Sequence, residues 1–252
     1  AFYPAKIPFP LLHIDTGYKF REMIEFRDYF VDKIGAKLIV HKNEEEKALK
    51  FKPEDANSES YIYYKKTKPL LEILSKHKFD AAFVGARRDE EKSRAKERIF
   101  SLRDANNRWD PKSQRPEMWS LYNTRISEQQ SMRVFPLSNW TELDIWNYIK
   151  REQIEIVPLY FAEERKVIKR DEIYLRIDEF VQEKDGEVVE EIYCRFRTLG
   201  CSPSTGAVPS KASSIDEIIE ELLMCNRSER ESRLIDKTSD SSLESKKREG
   251  YF

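Results

Sequence analysis

Six cationic side chains fall within the fourteen residues 85–98, which read GARRDEEKSRAKER and directly follow the apolar run FDAAFV. Ligands of open α/β sheets bind beyond the carboxyl ends of strands, and the planar fork of arginine matches two oxyanion oxygens. A solvated surface helix is the alternative for such a charge run. The preceding strand, Gly85 and the adjacent arginine pair favour an anion site. Its candidate catalytic residues are Arg87, Arg88, Arg94, Lys96 and Arg98.

A second candidate anion site lies at residues 195–206, which read RFRTLGCSPSTG. Arg195 and Arg197 precede a loop rich in hydroxyl groups and glycine, where Thr205 and Gly206 offer side-chain and backbone donors to sulfate or another anion. An ordinary turn between a strand and a helix is the alternative. Cys201 has no histidine near it in sequence, and only the two arginines are visible to lower its pKa, so we interpret it as structural.

Composition excludes several classes of function. The 45 basic and 46 acidic residues nearly cancel, so no global field attracts nucleic acid or an acidic membrane. No stretch approaches the roughly 20 apolar residues that a membrane span needs. The three histidines form no HExxH motif and the three cysteines no CxxC pair, so we expect no protein-built metal site and a reducing, cytoplasmic setting.

Alternating strand and helix patterns predict the elements that position these residues. Strands are predicted at residues 10–15, 37–41, 79–84 and 133–136. Helical spacing runs over residues 20–34 with Gly35 as its stop, and over residues 61–77 with a regular part beginning at Pro69. This alternation predicts an α/β fold with a doubly wound, mainly parallel sheet.

A helix is also predicted after residue 141, where Thr141 and Asp144 have the spacing of a capping box. We assign Trp146 on this helix to the core. Trp140, just before it, is equally consistent with core packing and with ligand contact.

The pattern changes beyond Pro158. Asp185-Gly186 predicts a hairpin turn between strands at residues 173–181 and 188–196, and residues 214–225 predict an amphipathic helix. The serine-rich stretch from residue 227 predicts an extended tail that orders on a partner or ligand. We therefore divide the chain into an α/β domain at 1–162 and a C-terminal extension at 163–252.

Long, ordered motifs carry a family resemblance over nearly the whole chain. They are HIDTG at residues 13–17, GARRDEEKSRAKER at 85–98, RWDPKSQRPEMW at 108–119, RVFPLSNWTELDIW at 133–146, RFRTLGCSPSTGA at 195–207 and the final KKREGYF. They resemble the small, catalytic subunit of bacterial sulfate adenylyltransferase, the ATP sulfurylase of the adenine nucleotide α-hydrolase superfamily.

The resemblance implies that sulfate attacks the α-phosphorus of ATP, which gives adenylyl sulfate and pyrophosphate. It implies Mg²⁺ that arrives with ATP rather than in a dedicated protein site, and a GTPase large subunit as partner. Residues implied in binding ATP and its adenine are His13, Asp15, Thr16, Gly17, Gly85 and Ser93.

Two segments depart from the family pattern. The family carries a pyrophosphate loop of the SxGKDS type upstream of HIDTG, and this sequence has none. We expect a first strand and that loop to belong upstream, and the chain as given to bind triphosphate poorly. Residues 53–66 also differ from the family's stretch containing His and Thr, which puts ligand contacts there in doubt.

Two alternative functions remain at this stage. A phosphoadenylyl-sulfate reductase shares the arginine motif but uses a C-terminal catalytic cysteine, whereas the last cysteine here is Cys225. A non-catalytic nucleotide-binding subunit that activates a GTPase is supported only by the missing loop.

Overall fold

The computed structural model describes residues 6–90 and 94–224. Ser93, Cys225 and the predicted tail therefore lie outside the described residues. The strands are β1 Leu11–Ile14, β2 Leu38–His41, β3 Ala81–Phe83, β4 Phe100–Arg103, β5 Ser131–Val134, β6 Glu163–Arg170, β7 Ile173–Arg176, β8 Val189–Arg195 and β9 Val208–Pro209. The helices are α1 Arg21–Ile34, α2 Glu46–Leu49, α3 Glu59–Ile62, α4 Lys68–His77, α5 Glu142–Glu152 and α6 Ile215–Met224.

The first unit is a parallel pair of strands joined by a helix. β1 and β2 run parallel, and α1 connects them. Gly35 ends α1 with φ of 60°, a left-handed conformation that glycine adopts without the steric cost of a Cβ. Leu70 and Leu74 of α4 pack on Leu12 and Ile39 of the strands. The predicted strand–helix–strand order is confirmed here.

The predicted helix over residues 61–77 is regular only in its second half. α4 begins at Lys68, with Pro69 in its first turn, where a missing N–H costs no hydrogen bond. A π-helical turn spans Tyr63–Thr67 and joins α4 to α3.

A three-stranded sheet in the order β3-β5-β4 carries the arginine motif. β3 is parallel to β5, whereas β4 pairs with β5 in the antiparallel direction. The α/β class with parallel strands is confirmed. The sequence patterns did not predict β4, because its FSLR is only four residues long and lies inside a charged segment.

The C-terminal strands form an antiparallel sheet in the order β7-β6-β8-β9. The hairpin that we predicted around Asp185-Gly186 is wrong, because β7 and β8 lie on opposite sides of β6. The tight turn is instead at Asp171 and Glu172, whose φ angles of 46° and 61° connect β6 directly to β7. Left-handed φ angles at both central residues suit the twist of a two-residue hairpin, and this pair carries no glycine to signal it.

One apolar cluster packs the antiparallel sheet on the start of α1, and a second joins α5 to α6. Phe20, just before α1, packs with Val167 of β6 and with Phe196, which follows β8. Trp146 of α5 packs with Ile218 of α6, so its predicted core role is confirmed. The division of the chain after residue 162 stays a prediction.

Side-chain caps begin both of these helices. Thr141 and Asp144 exchange hydrogen bonds at the start of α5, and Ser214 and Glu217 do so at the start of α6. Within the described residues, no helix combines the length and the apolar character needed to cross a bilayer.

Candidate functional site

Three arginines of the 85–98 motif line one narrow crevice beyond the carboxyl end of β3. Arg87, Arg88 and Arg94 share it with Glu97 and with residues that follow β5. Arg87 is buried, and its Nη1 lies 3.5 Å from the carbonyl oxygen of Trp140 and 3.8 Å from Asp89 Oδ2. The predicted location of the cluster, beyond a strand end, is what the structure shows.

Arg88 connects the two segments that form the crevice. Its Nε and Nη2 both donate to the carbonyl oxygen of Glu97, at 3.0 and 2.8 Å, and its Nη1 donates to Asn139. Its backbone N–H donates to the carbonyl of Ser138 at 2.9 Å. The fork of Arg88 thus ties the arginine motif to the segment after β5.

The other candidates of this motif differ in exposure. Arg94 is buried and lies 3.9 Å from Glu90 Oε2. Lys96, Arg98 and Gly85 are exposed. Lys96 and Arg98 are therefore accessible to a solvated phosphate chain, whereas Arg94 lies beneath the surface.

A buried polar network lies under the crevice. Glu97 Oε1 accepts hydrogen bonds from Ser101 Oγ at 2.6 Å and from Arg103 Nη2 at 3.1 Å. Ser101 on β4 lies opposite Arg133 on β5, and Arg103 is two residues further along β4, so all three side chains share one face of the sheet. Burial lowers the pKa of Arg103, although Glu97 opposes that shift.

The second candidate segment reaches the arginine motif through Arg197. Its Nε and Nη2 donate to the two carboxylate oxygens of Glu142, at 3.3 and 2.5 Å. Glu142 is the first residue of α5, and its backbone N–H lies 3.4 Å from Asp89 Oδ2. The structure therefore brings these two sequence-distant segments to one end of α5.

Arg195 lies elsewhere in the C-terminal region. Its side chain is fully buried, and its Nε and Nη2 donate to Glu221 of α6 at 3.2 and 2.7 Å. Thr205 is also buried and donates to the carbonyl of Cys201 at 2.9 Å, and Gly206 is buried beside it. Arg195 therefore connects the end of β8 to α6, and Thr205 stabilises the loop; their roles in anion binding stay predictions.

The HIDTG segment contacts this same loop. Thr16 Oγ1 lies 3.1 Å from Cys201 Sγ, and Lys19 forms an antiparallel bridge with Cys201. Asp15 Oδ1 accepts the backbone N–H of Gly17 at 2.8 Å, and Gly17 has φ of 86°. Asp15 thus caps a turn that glycine makes possible, as its sequence context indicates.

His13 is the third residue of β1, and its side chain is partly buried. Its Nδ1 lies 2.6 Å from Arg27 Nη1. Burial lowers the pKa of His13, and the positive charges of Arg27 and Lys19 lower it further. A neutral imidazole that accepts a hydrogen bond from Arg27 fits these contacts.

Cys201 has a more polar environment than its sequence neighbours indicate. Burial opposes ionisation and is the largest single influence on the thiol. The charges of Lys66 and Lys19, with hydrogen bonds to Thr16 and Tyr61, nevertheless lower the pKa of Cys201 to about 7. Burial and Cys201 in turn raise the pKa of Tyr61.

An open depression of about 460 Å³ lies beside Arg88, which bonds Asn139 on its rim. Trp140 and Tyr148 line it, with their rings in a T-shaped contact at 5.3 Å. Trp140 is only partly buried, so its contact with a ligand stays a prediction.

The described residues contain no group of three or more His, Cys, Asp and Glu side chains that could hold a metal ion.

Sequence reasoning missed several residues of this region. Our expectation that only Arg195 and Arg197 act on Cys201 is wrong, because the cations near it are Lys66 and Lys19. Arg133 was not identified either. The available signal was a charged residue inside the buried strand SMRV.

The chain is similar to known proteins along its whole length. The family model of the phosphoadenosine phosphosulfate reductase domain matches residues 1–207. The chain is 56% identical to "Sulfate adenylyltransferase subunit 2" of Vibrio vulnificus over 253 aligned positions, which cover 100% of this chain and 84% of that protein.

Two further relatives have the same name and the same coverage. They come from Shewanella loihica, at 56% identity, and Mesorhizobium japonicum, at 57%. A solved phosphoadenylyl-sulfate reductase from Candida auris has 15% identity and a TM-score of 0.42, over 60% of this chain and 64% of that one.

Proposed function

Because the chain belongs to the sulfate adenylyltransferase subunit 2 family, we propose that it transfers the adenylyl group of ATP to sulfate. A sulfate oxygen attacks the α-phosphorus, the bond from that phosphorus to the bridging oxygen breaks, and pyrophosphate leaves with the electron pair. The observation that carries this proposal is identity of 56% along the entire chain to proteins of that name.

The chemistry of the crevice supports this reaction. In-line displacement at a phosphate depends mainly on positioning and on cations that neutralise charge on the oxygens. Arg87, Arg88 and Arg94 line one crevice, and Lys96 and Arg98 are exposed on the same motif. Sulfate is already ionised, so the reaction needs no general base.

We propose that Mg²⁺ arrives with ATP. The ion supplies neutralisation of charge on the leaving pyrophosphate. In this proposal, the arginines of the motif orient the phosphates and sulfate through their guanidinium donors.

A second subunit is part of the proposal, because the relatives are named as subunit 2. We propose a GTPase large subunit as that partner. Exposed apolar side chains at residues 118–122 support a contact surface, above all Trp119, which is 82% exposed. We also propose a cytoplasmic location, since Cys194 and Cys201 are free thiols, as a reducing compartment would keep them.

A phosphoadenylyl-sulfate reductase would match the same family model but would catalyse a different reaction, the reduction of phosphoadenylyl sulfate. Its reaction needs a reactive thiol, and Cys194 and Cys201 are both buried. A purely structural nucleotide-binding subunit is the remaining alternative.

The test is a direct assay of the full-length protein with its large subunit. ATP labelled at the α-phosphate, together with sulfate, is expected to give labelled adenylyl sulfate and pyrophosphate in equal amounts, and none without sulfate. Formation of sulfite from phosphoadenylyl sulfate and a thiol reductant would instead establish the reductase. If neither product forms, the structural nucleotide-binding subunit is the function that remains.

A further inference from the structure

The guanidinium of Arg133 has a pair of donors without an acceptor. The side chain is 1% exposed, and its Nε and Nη2 have no hydrogen-bond partner among the residues that the structure describes. These two atoms form the side of the guanidinium that binds two oxygens of a carboxylate, sulfate or phosphate.

Three other arginines show what this pair of atoms does elsewhere in the protein. Each uses Nε and Nη2 together to bind a glutamate: Arg170 with Glu187, Arg195 with Glu221 and Arg197 with Glu142. In Arg133 the equivalent donors lie inside the protein without such a carboxylate among the described residues.

Arg103 adds a further donor on the same face of the sheet. Its Nη2 donates to Glu97, but its Nη1 is buried without a partner in the described part of the chain. Since Arg103 and Arg133 are diagonal neighbours on β4 and β5, their unused donors can converge on one ligand.

The charges of the region are unbalanced as well. Arg103 forms an ion pair with Glu97, whereas the buried Arg133 has no ion pair with a carboxylate in the described part of the chain. Burying an uncompensated charge is costly.

Titration does not remove this charge at neutral pH. Burial lowers the pKa of Arg133 to about 9, and the neighbouring positive charge of Arg103 contributes to that shift. The group stays protonated near pH 7, so its charge calls for an anion that the described residues do not supply.

We propose that Arg133 and Arg103 form a binding site for a tetrahedral oxyanion, either sulfate or a phosphoryl group of the nucleotide, behind the arginine crevice. Glu97 connects the two places, since it lines the crevice and accepts a hydrogen bond from Arg103. The identity of the ligand rests on the proposed function. The presence of an anion site rests on the unused donors.

The first experiment measures binding without catalysis. The full-length protein is melted in sodium sulfate and in sodium chloride of equal ionic strength, and also with ATP. Sulfate or ATP is expected to raise the melting temperature beyond the effect of chloride, and Arg133→Lys is expected to abolish that increment because an ammonium lacks the fork. The matched control is Arg165→Lys, a buried arginine whose donors go to the carbonyls of Phe161 and Cys194 and to the carboxylate of Glu163.

The second experiment identifies the ligand by kinetics on the complex with the large subunit. A KM for sulfate raised about tenfold in Arg133→Lys, with the KM for ATP unchanged, assigns the site to sulfate, since one bidentate contact is worth roughly a factor of ten. A raised KM for ATP with an unchanged KM for sulfate assigns the site to a phosphoryl group of the nucleotide. Arg103→Lys is the second variant if Arg133→Lys does not fold.

Two results would overturn the proposal. One is an increment in melting temperature from sulfate and ATP that Arg133→Lys leaves unchanged, since sulfate also stabilises folded proteins without a specific site; the other is a pair of folded variants with both KM values unchanged. A parent without adenylyl transfer whose sulfate increment is abolished by Arg133→Lys would instead contradict the proposed function and leave the anion site standing.

Discussion

Arg197 and Glu142 form a two-point ion pair that joins the 195–206 loop to the first turn of α5. Both side chains are mostly buried. Because Glu142 also lies next to Asp89, this pair sets the distance between the loop and the arginine motif.

A double-mutant cycle on Arg197→Lys and Glu142→Gln measures the strength of this connection. We expect a coupling energy of about 1–3 kcal/mol in denaturant unfolding, because a bidentate pair with little solvent exposure is poorly screened. The exposed pair Arg151–Glu152 is the control, for which the same cycle is expected to give less than about 1 kcal/mol. Equal coupling in the two pairs would show that the contact is not structural.

Arg88→Lys is expected to reduce kcat/KM for adenylyl sulfate formation. Lysine keeps the charge but cannot make the two bonds from Arg88 to the carbonyl of Glu97, so the crevice loses its geometry. A loss of about 1.5–3 kcal/mol corresponds to roughly ten- to hundredfold in steady-state kinetics. Arg21→Lys, an exposed arginine paired with Glu25 on α1, is the control, and an unchanged rate for Arg88→Lys would contradict its role.

Glu97→Gln is expected to destabilise the fold. The substitution removes the buried carboxylate that accepts from Arg103, and it leaves that guanidinium without its counter-ion. The free energy of unfolding should fall by about 3 kcal/mol in urea denaturation. Glu164→Gln, at an exposed position on β6, should change it by less than about 0.5 kcal/mol. Similar values for both variants would mean that the buried network is not coupled to stability.

Cys201→Ser is expected to retain most of the adenylyl transfer activity, because the thiol is buried and hydrogen-bonded rather than exposed to substrate. Peptide mapping after iodoacetamide treatment, which separates Cys201 from Cys194 and Cys225, should find Cys201 labelled slowly in the native protein and quickly in urea. Its lowered pKa favours the thiolate, but burial blocks access. Loss of activity in a variant that melts like the parent would overturn the structural interpretation.

Protonation of His13 is expected to make stability depend on pH. Its pKa in the folded protein lies below the ordinary 6.5, so the unfolded chain binds the proton more tightly. The neutral form therefore contributes stability above about pH 6.5, and this contribution is lost as pH falls through the lowered pKa.

Urea unfolding, measured from above to below about pH 6.5, gives the free energy of unfolding that tests this prediction for His13. The decline in the free energy of unfolding at acid pH should be smaller in His13→Asn than in the parent. It should be unchanged in the control His77→Asn, which also removes one imidazole. A decline of the same slope in both variants would show that other groups cause it.

Local patterns in the sequence determined most of the individual elements. Helical spacing with a terminal Gly35 predicts α1, and Thr141 with Asp144 predicts the start of α5, because caps and side-chain periodicity act within a few residues. The cluster of cations after an apolar strand likewise locates the crevice, since the carboxyl end of a strand is where such residues meet.

Only the tertiary structure decided which charges act together. The pairing of β4 with β5 places Arg103 beside Arg133, and the fold brings Arg197 to Glu142 and Lys66 to Cys201. The hairpin expected at Gly186 failed for the same reason, because strand order depends on which apolar faces can be buried together. Contacts between distant segments depend on packing and burial, and neither residue spacing nor composition records them.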